Sequence, residues 1–133
     1  MKTYHLFISH SWAHSNQYES LVALLRAERN FKFHDYSVPK DNPIHTNGTT
    51  AQLRDAISQK MQPCGVVLIL AGIYSNHSNW INREVEVAKS KKKPIIAILP
   101  LGSQQTSQNI RNHADKIVGW NTNSVVSAIR KLA

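Results

Sequence analysis

"GVVLILA" fills residues 65–71, an apolar run with no polar interruption, followed at once by the polar "GIYSN". A strand with one face in water alternates apolar and polar side chains, whereas a run without alternation suits a central parallel strand buried on both faces. "PIIAILPL" at 94–101 reads the same way. Between the two, residues 78–92 carry helical periodicity, as the crossover between parallel neighbours requires.

Working outward, the same alternation repeats. On the amino side, 50–62 is a helix with Leu53, Ala56, Ile57 and Met61 on one face, and "FKFHDY" (31–36) alternates like a strand exposed on one side. Residues 15–29 place Tyr18, Leu21, Val22, Leu24 and Leu25 at helical spacing, and "YHLFIS" (4–9) reads as a first strand. On the carboxyl side, "GSQQTSQNIRNHA" is a polar loop with a short helix. "DKIVGW" (115–120) is a last strand and "TNSVVSAIRKLA" a terminal helix. "SVPKDNPIHTNGTT" (37–50) is a long loop by its Pro, Asn, Gly and Thr. Five alternations predict a single α/β domain over 1–133: a flavodoxin-like three-layer sandwich with a five-stranded parallel sheet in the order 2-1-3-4-5.

Composition narrows the function classes. No apolar run approaches membrane-spanning length, and "MKTYHLFISH" is too polar for a signal-peptide core. A lone Cys64 allows no disulfide framework within the chain. Together these predict an intracellular, cytoplasmic protein without a membrane partner. The net charge of +8 invites polyanionic partners, but the basic residues are spread along the chain. The one dense run, Lys89 with Lys91, Lys92 and Lys93, falls where a helix ends, and cations there complement the helix dipole. Nucleic-acid binding would need basic residues clustered on one face with aromatics for stacking, and it ranks last among the readings.

In open α/β sheets ligands bind beyond the carboxyl ends of the strands, where the strand order reverses. Here that point lies between strands 1 and 3. "SHSW" (9–12) and "AGIYSN" (71–76) flank it, and the loop after strand 2 overhangs it. Ser9, His10, Ser11, Trp12, Tyr36, Tyr74 and Trp80 are the candidate lining. "AGIYSN" is neither a P-loop nor a dinucleotide fingerprint, and no acidic residue ends strand 1 to hold magnesium. His10 and His14 lack a third ligand, so no metal is expected. Cys64, just before a buried strand, reads as a small core residue.

The helix "NWINREVEVAKSKKKP" (79–94) carries two glutamates. At 100° per residue Trp80, Glu84 and Val87 share a face, with Ile81, Val85 and Ala88 beside them. Glu84 then falls at the border of the buried stripe, and Glu86 faces solvent. A carboxylate so placed can be tuned by burial and can stabilise a developing cation. It can also be a structural charge near Lys89 or near the helix start, and spacing by itself favours that reading. Both readings stay open.

Three segments together resemble a known family. "YHLFISHS" is similar to the first box of TIR domains, "DYSVP" with a following "NP" is similar to the start of their loop after strand 2, and "NWINRE" has their tryptophan followed four residues later by glutamate. The chain resembles a bacterial TIR-like domain, of the group that includes the TIR proteins of the Thoeris anti-phage defence system. The resemblance implies an enzyme of the NAD nucleosidase or ADP-ribosyl cyclase type, releasing nicotinamide and a cyclic or linear ADP-ribose signal. Glu84 would be catalytic, with Trp80 above it and segments 9–12 and 36–44 along the dinucleotide. NAD would be a substrate, with no cofactor. A homo-oligomer would be the active form, and a separate effector protein would sense the product. The alternative is a non-catalytic TIR-like interaction or adaptor module.

Overall fold

The computed structural model describes residues 3–8, 16–36, 50–70, 74–99 and 108–133. In chain order they form β1 (Thr3–Ile8), α1 (Asn16–Arg26), β2 (Lys32–Asp35), α2 (Thr50–Met61) and β3 (Val66–Leu70). Then follow α3 (Tyr74–Ser90), β4 (Ile95–Ile98), α4 (Gln108–His113), β5 (Lys116–Val118) and α5 (Thr122–Leu132). The sheet order is β2-β1-β3-β4-β5 and every pairing is parallel. The α/β, flavodoxin-like class and strand order expected from the apolar runs are therefore the observed ones.

Period-two alternation divides the core in two. Leu6 and Ile8 of β1, Val66, Leu68 and Leu70 of β3, and Ile96 and Ile98 of β4 pack under α1 and α5. Phe7, Val67, Ile69, Ile95 and Ala97 point the other way, against α2, α3 and α4. All of β3 and β4 is buried, which is why neither alternates in sequence. Each such side chain contributes roughly 1.5–3 kcal/mol by leaving water, so these two clusters dominate the fold's stability.

Local chemistry sets the ends of the elements. Asn121 caps α5 in an extended conformation, its Oδ1 accepting from the Ser124 N–H at 3.1 Å, which satisfies a donor the helix itself leaves open. After α3 the Lys93 N–H donates to the Ala88 carbonyl and the Lys92 N–H to the Lys89 carbonyl. That is a Schellman turn, and it puts Lys92 at φ 58°, where glycine is the usual residue. Asp115 accepts from the Ile95 N–H at 2.8 Å and holds the start of β5 to β4.

Two features depart from the sequence expectation. α3 begins at Tyr74 rather than 78. Its first turns are polar, and periodicity reports only the part of a helix that packs. β2 is also displaced along its neighbours: Leu6 pairs with both Asp35 and Val66. The last residue of β2 is thus level with the first residue of β3.

Candidate functional site at the carboxyl end of the sheet

β1 and β3 are neighbours at the centre of the sheet, with α1 on one face and α2 and α3 on the other. The reversal of strand order expected from sequence is therefore present. α3 has 17 residues and β3 has five, lengths of about 25 Å and about 16 Å. The short turn through Lys91–Pro94 ties the lower end of α3 to the sheet, where the Val67 N–H donates to the Pro94 carbonyl at 2.9 Å. The excess of about 9 Å, some six residues, thus overhangs the carboxyl end. Glu84 is the eleventh of the seventeen residues of α3.

Glu84 is 1% exposed, the one buried charged residue among those described. Around the helix, Val87, Glu84, Ala88 and Val85 span a continuous buried arc, at about −60°, 0°, 40° and 100° when Glu84 is taken as zero. Glu84 sits in the middle of that arc, not at its border as the sequence reading placed it. Buried apolar residues flank it both ways, Val87 on one side and Ala88 and Val85 on the other. Glu86, at about 200°, is exposed as expected. It opens onto shallow grooves on both flanks of α3, one with Asp55 and Ser58, the other with Asn82 and His113.

A carboxylate in the middle of a helix's core-facing arc is not a solvated surface charge. Burying it costs several kcal/mol unless neighbouring groups compensate, and Glu84 does have an interaction partner. The position holds a carboxyl group in low dielectric, on the helix that follows β3. There it can accept hydrogen bonds from hydroxyls and stabilise a cation that forms nearby.

The other candidate residues divide by position. Tyr36 directly follows β2, its N–H donating to the Leu6 carbonyl at 2.9 Å, and it is half-buried against the α2–α3 face. Because β2 is displaced, Tyr36 is level with Val67, three residues short of the end of β3. Its ring packs 5.3 Å from His5, which stacks on His34 at 5.5 Å. Tyr74 and Trp80 belong to α3 by their backbone, and their side chains lie outside the described part. Ser9, His10, Ser11 and Trp12 follow β1 directly and lie outside the described residues, as do His14 and segment 37–44.

The His5–His34–Tyr36 stack was not read from the sequence. His5 Nδ1 is buried with no hydrogen-bond partner among the described residues. The signal was present in the β1 pattern, where His5 takes the same face as Phe7, but the pairing with His34 depends on strand register. Cys64 is 1% exposed, as expected of a core residue. Burial pushes its thiol up to about 12, with Lys93 opposing and Asp35 adding to the rise. Its Sγ donates to the Lys60 carbonyl, so it is no nucleophile at neutral pH. Among the described residues, no group of three His, Cys, Asp or Glu comes together around a metal position, and no helix is long and apolar enough to cross a membrane.

Comparison with known proteins adds to this geometry. Residues 7–105, well over half of the chain, match the family model described as Thoeris protein ThsB, TIR-like domain. The match runs from β1 through β4 and includes Trp80 and Glu84. No curated protein matches the chain.

Proposed function

The chain belongs to the Thoeris ThsB TIR-like domain family, and from that premise we propose that it cleaves NAD at the nicotinamide–ribose bond, with Glu84 as the catalytic residue. The coarser assignment, a TIR-like module of anti-phage defence, follows from the family itself. The observation that carries the finer reading is the burial of Glu84 in the middle of the core-facing arc of α3. A fold rarely retains an ionisable group there without a use for it.

The chemistry suits the group. As the bond from ribose C1′ to the pyridinium nitrogen breaks, its electron pair leaves with nicotinamide, which departs neutral. The ribose becomes oxocarbenium-like, and a carboxylate in low dielectric stabilises that cation while accepting from the ribose hydroxyls. Water then adds at C1′ and loses a proton, giving ADP-ribose. Alternatively a nucleophile of the same molecule adds and loses a proton, giving a cyclic product. Neither route uses a metal or a thiol. The product in this reading is a signal for a separate effector protein, and a homo-oligomer is the active form.

The test is to incubate the purified protein with NAD, dilute and concentrated, beside Glu84→Gln, and to follow nicotinamide by mass spectrometry. Release by the parent protein that the variant lacks is the expected result. No release in any assembly state would overturn the reading.

A further inference from the structure

In a parallel sheet every crossover helix runs back against the strands, so all helices end at the amino end of the sheet. Here the last turn of every helix is basic: Arg26 in α1, Lys60 in α2, Lys89 in α3, Arg111 in α4, and Arg130 with Lys131 in α5. In the first turns the one acidic residue is Glu19. The turns and strand starts at the same end add Arg29, Lys32, Lys92 and Lys116, all exposed. Most of the sixteen Lys and Arg residues, spread along the sequence apart from the run at 89–93, are thus gathered on one end of the molecule.

Few acids oppose them. Glu28 lies in the turn after α1, Asp35 is level with the first residue of β3 and so belongs to this end as well, and Asp115 is engaged with the Ile95 N–H. Complementing helix dipoles accounts for some of the charge. Five helix ends contribute about half a negative charge each, which still leaves a surplus of several positive charges. Lys92 also goes beyond dipole duty, since it holds a cation at a left-handed position that suits glycine. Side-chain bonds brace this end: Lys91 and Lys93 both donate to Gln62, and Arg130 donates to the Asn30 carbonyl at 3.0 Å.

We propose that the amino end of the sheet is a binding face for duplex nucleic acid, held through its phosphates without regard to base sequence. The scale fits. Five strands spaced about 4.8 Å apart make a face some 19 Å broad, and a 20 Å length of duplex carries about twelve phosphates. Two observations set the occupant. Among the described side chains no Leu, Ile, Val, Met or aromatic residue is fully exposed, so this face has neither an apolar anchor for a lipid surface nor a hot spot for a protein partner. Its described aromatic rings are mostly engaged in the fold: Phe31 is buried, stacked on Tyr4 with Arg130 over its ring, Tyr4 and Phe33 are half-buried against the same cluster, and His34 stacks on His5. Cations alone remain, and they match a regular array of phosphates. The proposal is independent of NAD cleavage.

Fluorescence anisotropy with a labelled twenty-base-pair DNA duplex tests it. Binding at 50 mM salt is expected, and five phosphate contacts would weaken it about 500-fold at 200 mM. Lys60→Gln, Lys92→Gln and Lys116→Gln combined should lower the salt slope by about 3. A triple of equal charge change at the other end, Ser20→Glu with Asn123→Glu and Ser124→Glu, should retain the parent slope. Thermal melts check that both triples are folded. Absence of duplex binding at 50 mM, or equal loss in both triples, would overturn the proposal. So would capture by phosphatidylserine vesicles without duplex binding, which would assign the face to lipid.

Discussion

The two faces of the sheet are made by the same strands, yet they bury different things. Under α1 and α5 the buried side chains are uniformly apolar, from Leu6 and Ile8 through Leu25 to Ile129. Under α2, α3 and α4 the apolar cluster shares its space with Glu84, Cys64, His5 and Tyr36. The first face is a core and little else. The second accepts groups that stability alone would exclude, and it is the face on which the proposed chemistry lies. A two-sided layer permits such a contrast because the faces do not share side chains.

That contrast can be attacked from both sides. Glu84→Gln should lower nicotinamide release by about 10²–10³-fold, the range for removing one electrostatic stabiliser of a transition state, while its urea midpoint stays near the parent's. A variant that keeps full activity would remove the functional half of the comparison. On the other face, Leu25→Ala should cost about 3 kcal/mol in urea unfolding, since Leu25 is fully buried. The folded fraction should keep its activity.

Smaller effects sharpen the picture. Asn121→Ala should destabilise by about 1 kcal/mol, through loss of the cap that seats α5 on the apolar face. The Cys64 thiol is raised from 9.0 to about 12 by burial. Its neutral form is therefore favoured in the folded protein, and the associated stability is complete below pH 9 and lost as pH rises toward 12. At pH 10 the parent should have lost about 1 kcal/mol relative to Cys64→Ala, each measured against its own value at pH 7. Lys92→Gly should stabilise by about 0.5 kcal/mol, because it relieves the left-handed turn after α3. The same change should weaken duplex binding, which would set the cost of that lysine against its use.

Much of the fold was legible because its decisive signals are local. "GVVLILA" without alternation marks β3 whatever surrounds it, and the 3.6-residue period separates exposed Glu86 from buried Glu84. The family motif around Trp80 and Glu84 is also contiguous. The depth of Glu84 was less legible. A polar residue counts against burial in any pattern, so the reading placed it at the border when the packing placed it in the centre.

Other features depend on sums over distant parts of the chain, and only the tertiary structure decided them. Register between β1, β2 and β3 sets the level of Tyr36 and brings His5 onto His34. Polar Tyr74–Asn79 is helical although no apolar stripe announces it. The charge shows the division most plainly. The sequence by itself determined that the chain is basic and that helices tend to end in lysine or arginine. That these ends form one face follows from the parallel sheet, because electrostatic potential adds through space and not along the chain.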